Sequence, residues 1–157
     1  MKTFEVKAKV EELKYDELNP RELELVRLAK EATSRSYAPY SNFRVGAAIL
    51  LSNGEIITGA NQENAAYPSG TCAERSACYY AGATYPDAKF EAIAIAARGI
   101  DGEFVNEPCS PCGACRQALL QYELLAGKGV KTLLVGRDRI YRLESIRSIL
   151  PFAFTEF

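Results

Sequence analysis

The sequence predicts an α/β domain, a three-layer α/β/α sandwich around a central mixed sheet of about five strands. Two observations carry this. Segments with helical apolar period alternate with short runs rich in β-branched and small apolar residues, and those runs are apolar on both faces, as strands covered from both sides are. The chain has 157 residues, 48% of them apolar and 25% charged, which suits one globular domain with its own core.

The elements follow in order. Residues 1–19 read as an N-terminal extension, in which charged and apolar residues alternate and no apolar stretch of signal-peptide length occurs. The catalytic-domain candidate is 20–157. Asn19-Pro20 is an N-cap followed by Pro at the first helical position, and Leu25, Val26, Ala29 and Ala32 then give one apolar face. Tyr37-Ala38-Pro39-Tyr40-Ser41 ends that helix. Phe43 to Leu51 is β-like, and Ser52-Asn53-Gly54 turns it into a second strand over 55–59, because Asn-Gly tolerates positive φ. Further strands are predicted over 90–97 and 132–135. Helices are predicted over 72–83, 111–122 and 143–150.

The bulk numbers narrow the function. The formal net charge is −1, which argues against a polynucleotide binder, since phosphate neutralisation calls for a basic stripe. No run approaches the roughly eighteen apolar residues of a membrane span. Five cysteines, an odd number, make a poor disulfide framework and fit a reducing cytoplasm. The chain has no histidine, so Ser-His-Asp triads, Cys-His dyads and His-ligated metals are all excluded. Any thiolate metal site has to be built from cysteine, and zinc suits mononuclear sulfur ligation.

Cys72-Ala73-Glu74, followed some way downstream by Pro111-Cys112-Gly113-Ala114-Cys115, offers three thiols and one carboxylate. Thr71 precedes Cys72, and Ser110-Pro111 precedes Cys112, so both halves fall at predicted helix starts, where thiolates are favoured. Competing readings stand beside this one. Thr71 to Glu74 also matches a capping box. Residues two apart on a regular helix diverge by about 200°, so Cys72 and Glu74 share a pocket only if Cys72 sits at the helix edge. Cys112-x-x-Cys115 alone could be a redox dithiol, and Cys109 could complete a closed four-cysteine structural site. Cys78 reads as core. Arg75 is either a solvated arginine or a donor to ligand thiolates. The stretch Asn61 to Tyr67 is either a solvated loop or a set of groups able to bind vicinal hydroxyls.

Together these residues resemble the cytidine deaminases of the small, homotetrameric, all-cysteine zinc class. The resemblance is carried by Tyr37 to Ala48, Asn61 to Tyr67, Cys72 to Ala77, Ser110 to Gln117 and Leu150 to Phe154. The general chemistry of that zinc deaminase superfamily, including its three-cysteine form, is well described. The resemblance implies the cytidine deaminase-like fold, one Zn²⁺ per subunit on Cys72, Cys112 and Cys115, and Glu74 as the general acid/base. It further implies Asn61 and Glu63 on the ribose, Phe43 beside the pyrimidine, and the main chains of Ala73 and Ser110 on the base. Arg75 would donate to the thiolates. Phe154 would stack on the base from a neighbouring subunit, and Tyr67 would lie at a subunit boundary. The implied reaction is hydrolytic deamination of cytidine and 2′-deoxycytidine to uridine and 2′-deoxyuridine in pyrimidine salvage. The implied partners are a nucleoside substrate and other copies of the chain in a homotetramer, with neither nucleic acid nor membrane. Cys109 and the N-terminal extension have no counterpart in that pattern. Phe152, Phe154 and Phe157 read as a docked or interfacial aromatic tail.

Overall fold

The computed structural model describes residues 1–156; Phe157, part of the expected aromatic tail, lies outside the described residues. Six strands form one sheet: β1 (Glu11–Leu13), β2 (Arg44–Leu51), β3 (Ile56–Ala60), β4 (Phe90–Arg98), β5 (Lys131–Val135) and β6 (Ile140–Leu143). Their order is β1-β6-β5-β4-β2-β3. Only β4 and β5 run parallel, so the sheet is mixed as expected.

Three helices cover it. Helix α1 (Pro20–Ala32) starts at Asn19, whose side chain accepts from the Glu22 amide at 2.9 Å while Glu22 bonds back to the cap amide. Leu25, Val26 and Ala29 of α1 pack on Ala48, Ala94, Ala96 and Leu133. Helices α2 (Ala73–Thr84) and α3 (Gly113–Ala126) lie on the other face, against Ala47, Ile49, Ile93 and Ile95. The two sets alternate along β2 and β4, which is what a strand buried on both faces requires.

Two glycines set the spacing of the layers. A Cβ on Gly46 would lie 2.2 Å from the Ala29 carbonyl oxygen, and one on Gly59 would lie 2.5 Å from the Ala77 nitrogen. Both positions bring helix backbone against strand backbone. Gly59 is the one that matters for chemistry, because it seats the first turns of α2, where Cys72 and Glu74 stand.

The structure corrects several sequence expectations. The sheet has six strands where about five were expected. The added edge strand β1 comes from the N-terminal extension and pairs with β6, and Arg142 Nε donates to Glu11 at 2.8 Å across that pair. The helix expected over 143–150 does not form. Leu143 ends β6, and only a 3₁₀ turn over Ile146–Ile149 follows. In the hairpin turn Gly54 alone takes positive φ, at 88°, with its amide donating to the Leu51 carbonyl at 2.9 Å. Among the described residues no helix is long and apolar enough to cross a membrane.

Candidate active site

Both cysteine-bearing helices begin later than their polar neighbours suggest, α2 by one residue and α3 by two. Cys72 itself is the N-cap of α2, with φ −74° and ψ 155°, and Cys112 is the N-cap of α3, with φ −66° and ψ 165°. Thr71 and Ser110 are therefore not the caps, and Pro111 stands outside the helix. Neither cysteine caps through its side chain. The extended backbone at Cys72 releases its thiol from the regular helical direction, so it need not diverge from Glu74 by a helical angle. The capping-box reading of Glu74 is not realised, since no side-chain capping bond forms at Cys72.

The three thiols converge. Cys72 Sγ lies 3.8 Å from Cys112 Sγ, Cys112 Sγ lies 3.6 Å from Cys115 Sγ, and all three fall within 4.8 Å of one another. Two thiolates about 2.3 Å from a tetrahedral zinc stand about 3.8 Å apart, and the Cys72–Cys112 and Cys112–Cys115 separations match that spacing. Among the described residues this is the one cluster of His, Cys, Asp or Glu with ligand atoms so grouped, and Cys109 is outside it.

The electrostatics suit an anionic cluster. Hydrogen bonding from Cys115 holds the Cys72 thiol down at about 5, with burial working against it and Arg75 and Cys112 helping. Cys115, as the donor, is pushed far up for the same reason, with burial adding to it. Arg75 Nη2 donates to Cys72 Sγ at 3.5 Å, so the side chain is not a freely solvated arginine. Its Nε is buried with no partner. Two helix N-termini add positive potential at the same point.

Glu74 is 4% exposed. Burial is the main cause that raises its carboxyl above the usual range; its own backbone amide pulls the other way and the Cys72 charge adds to the rise. It faces a cavity of about 630 Å³ lined also by Phe43, Asn61, Glu63, Tyr67, Ala73, Ser110, Cys72 and Cys112, a volume typical of a small-molecule site. Cys115 and Phe154 are not in this lining. Cys115, the third thiol of the cluster, is buried, and Phe154 stands 68% exposed on the tail.

The loop residues are more committed than a binding role alone requires. Asn61 Oδ1 accepts from Ser36 Oγ at 2.6 Å and the Val45 amide at 2.8 Å, while its Nδ2 donates to the Phe43 carbonyl at 2.9 Å. One amide hydrogen remains. Glu63 accepts from the amides of Tyr40, at 2.8 Å, and Ser41, and from the Ser41 hydroxyl. The Ser41 hydroxyl is the main reason its carboxyl sits below the usual range. These bonds hold the turn before Phe43, where Asn42 takes a positive φ of 54°. Tyr67 is 77% exposed and meets Tyr40 edge-on at 5.9 Å.

Some site features were not visible in the sequence. Cys109 lines the cavity, and burial followed by the Glu74 charge pushes its thiol up to about 11. Tyr40 and Ser41 also line it. Their role as anchors for Glu63 leaves no local signal, because the partners are 22–23 residues away.

Comparison with known proteins agrees with this geometry. Residues 20–126 match the family model described as the cytidine and deoxycytidylate deaminase zinc-binding region. The chain is 37% identical over 131 residues to the cytidine deaminase of Halalkalibacterium halodurans, covering 83% of this chain and 92% of that protein. It is 41% identical over 132 residues to the cytidine deaminase of Sporosarcina psychrophila, covering 84% and 90%. A crystal structure of the cytidine deaminase from Burkholderia pseudomallei superposes with a TM-score of 0.71 at 35% identity, covering 87% of this chain and 100% of that one. The cytidine deaminase structure from Mycobacterium tuberculosis gives 0.65 at 30% identity, covering 85% and 96%.

Proposed function

This chain belongs to the cytidine and deoxycytidylate deaminase family, and from that premise we propose that it hydrolyses cytidine and 2′-deoxycytidine to uridine and 2′-deoxyuridine. Water adds its oxygen at C4 of the base, the C4–N4 bond breaks, and ammonia leaves. The observation that carries this reading is a buried carboxyl, Glu74, facing the same cavity as two of three converging thiols.

Cys72, Cys112 and Cys115 would hold one zinc ion per subunit, and zinc in such a site lowers the pKa of water so that a nucleophile exists at neutral pH. The chain's own residues supply the rest. Glu74 accepts the proton of the attacking water, delivers one to N3, and passes one to the departing amine. A carboxyl raised by burial is suited to this, because it holds a proton more readily than a solvated one. Arg75, donating to Cys72, draws negative charge off the sulfur, which three thiolates around a dication otherwise accumulate.

The cavity walls orient the substrate. The Ala73 amide would donate to the base carbonyl, and the Ser110 carbonyl would accept from the exocyclic amine. Phe43 packs beside the ring. The remaining amide hydrogen of Asn61 and the Glu63 carboxylate face the sugar, chiefly its 3′-hydroxyl, which ribose and deoxyribose share. Phe154 closes the base from a neighbouring copy, Tyr67 stands at that boundary, and the assembly is a homotetramer with shared sites. A salvage role in a reducing cytoplasm suits the unpaired thiols.

The test follows cytidine by ultraviolet absorbance with zinc-loaded purified protein, alongside an ammonia assay. The expected result is uridine from cytidine and, in a parallel run, 2′-deoxyuridine from 2′-deoxycytidine, each with an equal amount of ammonia. Fully metal-loaded protein that leaves cytidine unchanged would overturn the reading.

A further inference from the structure

The first turns of α3 carry more than metal ligands. Arg116, next to Cys115, spends its guanidinium on three separate oxygens. Its Nε donates to the Pro111 carbonyl at 2.7 Å, its Nη2 to Ser110 Oγ at 3.0 Å, and its Nη1 to the Ile149 carbonyl at 2.8 Å. Two of these bonds fix the loop that forms the cavity wall before Cys112. The third fixes the root of the C-terminal tail. A planar guanidinium bonds these oxygens from three different nitrogens in a fixed plane, whereas a lysine has only one donor nitrogen.

Gln117 holds the far end of the same tail. Its Nε2 donates to the Phe154 carbonyl at 2.7 Å, and its Oε1 accepts from the Phe154 amide at 3.2 Å. The side-chain amide thus takes both backbone groups of Phe154, as a neighbouring strand would. Between the two anchors the tail has no regular helix or strand. The Phe154 ring stands 68% exposed, outside this chain's own cavity lining. Fixing the backbone at this point holds a largely exposed ring at a set place on the surface of the chain.

We propose that Arg116 and Gln117 are a positioning pair that seats the tail 149–154 on α3, so that one helix sets the wall of its own pocket and presents the Phe154 ring to the pocket of a neighbouring copy. This rests on the shared-site reading above and deepens it. The pair touches neither substrate nor metal; it acts through Ser110 and Phe154. Because Arg116 grips both the wall and the tail root, adjacent sites in the assembly are mechanically linked through α3.

The experiment uses Gln117→Ala in the full chain, with zinc content, kcat, KM for cytidine and hydrogen–deuterium exchange of the tail peptide measured together. The expected outcome is faster tail exchange and unchanged zinc and kcat. KM should rise about 5- to 150-fold, equivalent to about 1–3 kcal/mol of base stacking at 1.36 kcal/mol per decade. Mixing Gln117→Ala subunits with Glu74→Gln subunits, with exchange confirmed, should restore low-KM turnover, because an intact Glu74 then receives a properly seated Phe154 from its neighbour. Unaltered tail exchange in Gln117→Ala overturns the proposal. So does a raised KM with no recovery in mixed oligomers, or a monomeric chain. If the parent protein does not deaminate cytidine, the functional reading falls separately, and tail exchange alone still decides whether Gln117 seats the tail.

Discussion

Replacing Glu74 by Gln removes one exchangeable proton site and almost nothing else. The side chain is 4% exposed, and burial already opposes its charge, so a neutral amide of equal size suits the site. No capping bond is lost, because Cys72 caps α2 without a side-chain partner. The variant should therefore melt close to the parent and retain its zinc. Turnover is another matter. Removing a general acid/base costs about 10²–10⁴-fold, or about 3–5 kcal/mol of transition-state stabilisation. Glu74 is assigned more than one proton transfer, which places the loss at the upper end of that range. The assay combines metal analysis, a thermal melt and initial rates of uridine formation. A zinc-replete variant within tenfold of the parent rate would refute the assignment. A loss of about 1 kcal/mol in stability with turnover kept would point instead to a helix-capping residue.

Cys112→Ala and Cys115→Ala should each abolish stoichiometric zinc binding, whereas Cys109→Ala should keep one zinc per chain and its turnover; loss of metal in Cys109→Ala would favour a closed four-cysteine site. Away from the pocket, Glu22 is 5% exposed and accepts from Lys131 at 3.1 Å and Arg142 at 3.3 Å. Burial opposes its ionisation, but the bonds from Lys131 and the Asn19 amide, with both cations, leave its carboxyl below the ordinary 4.5. A depressed carboxyl stabilises the fold above the unfolded value and loses that contribution as pH falls through the folded one. Glu22→Gln should thus cost about 1.5–3 kcal/mol at neutral pH, and urea titrations should show the gap closing below about pH 4; a gap independent of pH would contradict this.

The cysteine trio was legible in the sequence because its chemistry is local: two short motifs, no histidine to compete, and helix starts at both. Strands β2 to β5 were legible for a similar reason, as their β-branched and small apolar runs are bounded by turns. Strands β1 and β6 were not. Glu11–Leu13 and Ile140–Leu143 are short and mixed in polarity; β1 is held only by β6 from across most of the chain, and β6 lies between β1 and β5, so neither has a signature of its own. The terminal helix failed because β6 takes Leu143 and leaves only a 3₁₀ turn. The caps were misplaced, by one residue at α2 and two at α3, because Thr71 and Ser110 are better capping types than cysteine. Asn61 and Glu63 were visible as polar groups, but not as the bonds that shape the turn before Phe43, which depend on distant partners.

X-ray absorption at the zinc edge, on the loaded full-length protein, tests the open three-thiolate centre most directly. Three sulfurs per zinc at about 2.3 Å are expected, unchanged in Cys109→Ala. Four sulfurs per zinc, falling to three in Cys109→Ala, would show a closed structural site and contradict the catalytic assignment.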